Sequence, residues 1–142
     1  MWEGCYHAIA ATNAVLERVA ELEKDSVNLS ATDLEKLKAV KGEALVSRAY
    51  HHFILVNVFC MPYRGTEVNC VDPGVPYVTK PETSVLVHYD RGTVAEDYEK
   101  IEKDLTEGLP LINDGLYEIP RYHFNRAAAN AFAARFYLFK RE

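Results

Sequence analysis

Few residues in this sequence are spaced for chemistry. His51 and His52 are neighbours, and neighbouring side chains on a helix diverge by roughly 100°, so they cannot chelate one ion as an i, i+4 pair can. They read as core or surface histidines. Glu96, Asp97, Glu99, Lys100, Glu102 and Lys103 crowd one segment, where Glu96 to Lys100 and Glu99 to Lys103 have the spacing of helix ion pairs. A solvated helix face accounts for them without an acid and base pair. No G-x-S-x-G, H-E-x-x-H, P-loop or G-x-G-x-x-G occurs, so the signatures of acyl transfer, zinc hydrolysis and nucleotide binding are missing. The three cysteines, Cys5, Cys60 and Cys70, form no C-x-x-C, which argues against a zinc site and a disulfide scaffold. The spacing of Cys60 and Cys70 leaves a loop-closing bridge open.

Binding, rather than reaction, is suggested by three tyrosines. Tyr63, Tyr77 and Tyr89 lie in a proline-rich stretch, where an aromatic face can stack on a sugar while its hydroxyl stays wet. They can equally pin that stretch onto the helices beside it. Arg48 and Arg135 fall in apolar helical segments, where an unpaired guanidinium is costly. Each is therefore expected in a buried pair with a carboxylate or with helix-end carbonyls, Glu43 and Asp104 being the candidate partners. Asn13, inside an apolar stripe, is expected to satisfy a backbone group. No cofactor or metal is expected.

The elements that must position these residues are helical. The chain has 142 residues, 49% apolar and 26% charged, which suits one folding unit with a real core. Its 16 basic against 21 acidic residues leave a net charge of −5 with no basic block, which excludes nucleic acid as a partner. Trp2, Tyr6, Ile9, Asn13, Leu16 and Val19 form a 3.6-residue stripe and predict a first helix, with Cys5 buried in it. Thr32 and Glu35 read as a capping box opening a second helix over about Asp33 to Cys60, stopped by Pro62. Met61 to Gly92 holds four of the six prolines and should be irregular, with a short strand at Ser84 to Tyr89. Thr93 and Glu96 cap a third helix, marked by Val94, Tyr98, Ile101, Leu105 and Leu109, and Asn125 caps a fourth over Arg126 to Lys140.

Ala44, Arg48, Ala49 and Tyr50 in the second helix recur, in the same spacing, as Ala131, Arg135, Phe136 and Tyr137 in the fourth. The pattern predicts an all-α fold of two tetratricopeptide-like hairpins, with a long proline-rich excursion between the second and third helices. A repeat buries its apolar face only against neighbours, so two hairpins should leave apolar surface uncovered. The longest apolar run, Phe53 to Met61, is far below the ~20 residues a bilayer span needs.

Four blocks carry a family resemblance. They are Trp2-x-x-Cys5-Tyr6-x-x-Ile9 with Asn13; Gly42-Glu43-Ala44-Leu45-x-x-Arg48-Ala49-Tyr50-x-x-Phe53-x-Leu55-Val56-x-x-Phe59; Tyr89-x-Arg91-x-Thr93-Val94-x-Glu96-x-Tyr98-x-x-Ile101-x-x-Asp104-Leu105; and Ala128-x-Asn130-Ala131-x-x-Ala134-Arg135-x-Tyr137-Leu138. With Pro62-Tyr63 and Gly74-Val75-Pro76, and in this order, they resemble the SusD/RagB family of glycan-binding outer-membrane lipoproteins. The resemblance implies helical hairpins that scaffold a larger, surface-exposed protein. That protein sits on a TonB-dependent SusC-like transporter and presents oligosaccharide or polysaccharide to it, so the implied activity is capture and not catalysis. Against a full-length member, this chain is expected to be a fragment that lacks the signal peptide and lipidated cysteine and stops in its last helix. No glycan-binding residue transfers by motif.

The alternative is a helical-repeat adaptor that binds a peptide or protein, which the same solenoid permits. A helical hydrolase is disfavoured, because no motif places a nucleophile or a carboxylate pair.

Overall fold

A computed structural model of the chain describes residues 1–82 and 88–141. Five α-helices carry the fold: α1 (Trp2–Lys24), α2 (Ala31–Phe59), the single turn α3 (Thr66–Asn69), α4 (Val94–Gly108) and α5 (Arg126–Lys140). Among the described residues there is no strand, only one antiparallel bridge between Pro73 and Thr93. The all-α expectation holds.

Local chemistry sets the helix ends. Thr93 Oγ1 accepts the Glu96 N–H at 3.2 Å while the Glu96 carboxylate accepts the Thr93 N–H at 3.0 Å, so the expected capping box opens α4. Asn125 caps α5 through the Ala128 N–H at 2.9 Å. At α2 the start lies earlier than Thr32 suggested. Ser30 Oγ accepts the Asp33 N–H at 3.1 Å and donates to the Asp33 carboxylate at 2.6 Å, so these two residues bind each other and draw the helix start to Ala31.

The helix α2 is the axis of the molecule, with α1 packed along one side and α4 along the other. Ile9, Val46, Ala49, Phe53, Val56, Tyr98, Ile101 and Leu105 form the buried core between them. Two glycines let α2 and α4 approach: a Cβ at Gly42 would lie 2.8 Å from the Gly108 carbonyl, and one at Gly108 would lie 2.9 Å from that of Gly42. Both residues therefore need a missing side chain. On α5, Phe132, Phe136 and Phe139 set their rings edge-on around Phe53, with centroids 5.6, 6.0 and 5.4 Å away.

The excursion of residues 61–92 is tied at its base. The Gly74 N–H donates to the Gly92 carbonyl at 2.7 Å and the Val94 N–H to Asp72 at 2.9 Å. It holds the one-turn α3, which the prolines had not suggested, because Asn69 folds back to accept the Arg64 N–H at 2.6 Å and to donate to Asp72 at 2.8 Å. No Cys60 to Cys70 bridge forms: both thiols are free, and α3 turns the exposed Cys70 onto its own helix, donating to the Glu67 carbonyl at 3.2 Å. The strand expected at Ser84 to Tyr89 lies mostly outside the described residues, and Tyr89 itself is in no strand.

Candidate functional site

Segment 75–80 of the excursion runs as a strap over α1, α2 and α4, and a buried polar lattice holds it. Arg48 of α2 is the centre. Its Nε and one terminal nitrogen donate to the two Asp104 oxygens at 2.7 Å each, and its other terminal nitrogen donates to Asn13 Oδ1 at 3.0 Å and Thr79 O at 3.5 Å. Asn13 in turn donates to the Val78 carbonyl at 3.0 Å, the backbone role its place in the α1 stripe implied. Tyr77 donates to the same Asp104 at 2.8 Å and stacks on the His52 ring at 3.8 Å.

His52 reads the strap through both ring nitrogens. Nε2 accepts the Val78 N–H at 3.2 Å, which fixes the proton on Nδ1, from where it is donated to the Arg48 carbonyl at 3.0 Å. Burial, aided by the Arg48 charge, pushes the ring down to about 3, so it stays neutral. Two further ties complete the strap: Tyr6 donates to the Pro76 carbonyl at 2.9 Å, and Asp97 accepts the Val75 N–H at 2.7 Å.

Asp97 is the departure from the solvated face expected for its segment. It is fully buried at 0% exposure, and burial raises its carboxyl to about 6. One oxygen holds Val75, while Oδ1 has no partner among the described residues. The cause is Gly74, where a Cβ would overlap the carboxylate, so only glycine lets the strap close over it. Arg91 completes the corner by donating to the Gly74 carbonyl at 2.8 Å.

The lattice deals differently with the side chains singled out by sequence. Tyr63 is 8% exposed and lies face to face with Tyr98 at 4.2 Å, so it belongs to the core. Tyr77 has one face on His52, with the Lys100 ammonium 5.7 Å from its ring centroid. Tyr89 is half-buried, donates to Glu82 at 2.7 Å, and shares a cavity of about 310 Å³ with Tyr77, Thr79 and Lys80. Arg48 is buried at 9% exposure, and burial opposes its charge, but the Asp104 bonds more than offset this and raise its pKa.

Arg135, expected in a buried pair, is instead exposed, and no partner for it is found among the described residues. It sits one residue, roughly 100° of helix, from the buried Phe136, and α5 packs only its phenylalanine face on α2. Glu43 serves neither arginine: it accepts the Phe124 N–H at 3.1 Å and binds His123 Nδ1 at 3.0 Å, fastening the connector between α4 and α5. Beside it opens a cavity of about 570 Å³ lined by Ala11, Val15, Val40, Ala44, Arg121 and the 71% exposed Tyr122. Nothing in the sequence pattern marked this hollow, because its walls come from α1, α2, the connector and the start of α5.

No group of three His, Cys, Asp or Glu side chains among the described residues could hold a metal ion, and no helix there is long and apolar enough to cross a membrane. Apart from Asp97 Oδ1, the polar side chains that hold the strap are bonded to backbone or to one another. A family profile described as starch-binding, associating with outer membrane, matches residues 1–138. The chain belongs to this SusD-like family. Several solved structures are similar to the SusD-like chain. A putative sugar binding protein from Bacteroides vulgatus is 30% identical with a TM-score of 0.81, over 98% of this chain and 29% of that one. A SusD superfamily protein from Bacteroides thetaiotaomicron is 29% identical with a TM-score of 0.77, over 98% and 28%. Another, from Bacteroides vulgatus, is 27% identical with a TM-score of 0.79, over 98% and 29%. The SusD-like chain thus spans less than a third of the length of these solved relatives. None of the curated proteins matches it.

Proposed function

We propose that the chain is one helical unit, the non-catalytic scaffold part, of a longer cell-surface protein that binds glycan and delivers oligosaccharide to a TonB-dependent SusC-like transporter. The observation that carries this reading is the family match over residues 1–138, joined to a polar lattice whose groups hold a strap in place instead of meeting a substrate. Membership of a family described as associating with the outer membrane supports a surface location. Of the three stacking candidates, Tyr89 is the best supported, since it shares the smaller cavity with Tyr77, whereas Tyr63 has its ring engaged by Tyr98.

The test is calorimetric titration of the full-length protein with starch-derived and other oligosaccharides, alongside affinity purification of its membrane partner. Saccharide binding without turnover, and co-purification of a TonB-dependent barrel, are expected. A soluble protein partner with no saccharide binding would favour the adaptor instead, and polysaccharide turnover lost on a single carboxylate substitution would overturn the non-catalytic reading.

A further inference from the structure

The hollow beside Glu43 has the make-up of a ligand site. At about 570 Å³ it has the size of a small-molecule site, and it shares no lining residue with the Tyr77 and Tyr89 cavity. Val15, Val40 and Ala44 give it an apolar floor, to which Thr12 and Ser47 add hydroxyls. Thr12 donates to the Ile9 carbonyl at 2.8 Å, which leaves its oxygen free to accept. The outer wall is the turn Pro120–Tyr122, fastened on both sides: Asn125 donates to the Pro120 carbonyl at 3.0 Å, and Glu43 holds His123 and the Phe124 N–H. His123 is in turn stacked on Tyr117 at 4.3 Å. Arg121 and Tyr122 therefore stand at the mouth on backbone that no ligand needs to order.

Charge decides what this wall takes. The Arg121 guanidinium lies 5.1 Å from the Tyr122 ring centroid and is paired with no carboxylate among the described residues. Glu43, the acid in the lining, is already occupied by His123 and a backbone N–H. The mouth thus offers a free fork of N–H donors beside an exposed aromatic ring. A sugar ring that carries a carboxylate uses both, because its C–H face stacks on tyrosine while its carboxylate accepts two parallel bonds from a guanidinium. A neutral sugar leaves the guanidinium idle, and an acidic peptide brings no flat ring to Tyr122. We propose that the hollow is a second saccharide site, selective for acidic oligosaccharides of the uronate class. Tyr122 stacks the ring, Arg121 binds its carboxylate, and Thr12 and Ser47 accept its hydroxyls. This rests on the glycan-binding reading of the chain, though not on the Tyr77 and Tyr89 cavity.

Calorimetric titration of the full-length protein compares an oligoglucuronate with the glucose oligomer of the same length and linkage. The acidic oligomer is expected to bind at least about tenfold more tightly, the effect of one charge-assisted contact. Arg121→Gln should abolish that preference, Arg121→Lys should keep part of it, and Tyr122→Ala should weaken the acidic oligomer by a similar factor. Both positions are exposed, so the three variants should melt with the parent. Equal binding of the two oligomers, or a preference that survives Arg121→Gln, overturns the proposal and leaves the glycan reading standing, whereas binding of no saccharide at all sinks that reading too. A glutamate-rich peptide that binds as tightly as the acidic oligomer and displaces it would assign the hollow to a peptide and overturn the saccharide site.

Discussion

Arg48 and Arg135 are followed by the same tyrosine spacing and preceded by the same alanine, yet one is held by four hydrogen bonds among the described residues and the other is exposed. Local sequence brings each to a helix face, but it does not decide what that face meets. The difference lies in neighbours: α2 has α1 on one side and α4 on the other, whereas α5 packs through one face, that of Ala129, Phe132, Ala133 and Phe136, with Lys140 tied to Glu102 at its end. A guanidinium is stable in the interior only when a carboxylate and its remaining donors are satisfied together, and around Arg48 these are supplied by Asp104 of α4, Asn13 of α1 and Thr79 of the strap.

The sharpest break of that comparison is Arg48→Met. It leaves Asp104 buried with only the Tyr77 hydroxyl and takes the donor from Asn13 Oδ1 and the Thr79 carbonyl, so chemical denaturation should show a loss of ~3–5 kcal/mol. Removing both charges, as Arg48→Met with Asp104→Leu, should cost far less, because no lone charge is left behind. A loss below ~1 kcal/mol for the single variant would mean that the pair behaves as a surface contact.

The second largest effect is in the pH profile, where two strap holders act in opposite directions. The folded His52 stays neutral down to about 3, while the unfolded ring takes a proton below its ordinary value near ~6.5, so its contribution is lost as pH falls through that window. Asp97 holds its proton up to about 6 when folded but only to the ordinary ~3.9 when unfolded, so its contribution grows as pH falls. Between about 4 and 6 the two should nearly cancel. Asp97→Asn removes one of them, and relative to the parent it should lose up to ~1.4 kcal/mol per pH unit of acidification in that window. His52→Gln should shift the other way, and parallel profiles for parent and both variants would refute the assignment.

How far the sequence discloses these features depends on what each residue binds. Helix-borne signals were legible: the Thr93 capping box, the Asn125 cap and the α1 stripe with Asn13 in its middle all depend on neighbours three or four residues away. That Arg48 is buried against a carboxylate was legible as well, since a charge in an apolar stripe demands an opposite one, but the choice of Asp104 over Glu43 was not. Asp97 and His52 were not. Their partners are backbone amides of the strap, and a peptide N–H has no residue type by which to recognise it. Asp97 also sits among true surface charges, which disguised it, and Gly74, which admits it to the interior, is 23 residues upstream in a segment without period.

Gly74 gives the next prediction. A methyl group there would overlap the Asp97 carboxylate and come 2.8 Å from the Thr93 carbonyl, so the strap must lift or α4 must shift. Gly74→Ala should cost ~1–3 kcal/mol in denaturant unfolding, in the range of an overpacked core. Combined with Asp97→Gly, which opens the space, part of that loss should return; additive losses would show that the two residues do not share the space.

The smallest effect returns to α5. In the 142-residue chain Arg135 is exposed, so Arg135→Met should change stability by less than ~1 kcal/mol, as for other surface positions. The comparison between Arg48 and Arg135 therefore becomes a comparison of one substitution made at two matching places of a repeated pattern. A large loss in the short chain would mean that Arg135 already has a strong partner there, and the difference between the arginines would have to be sought outside the packing of α2 and α5.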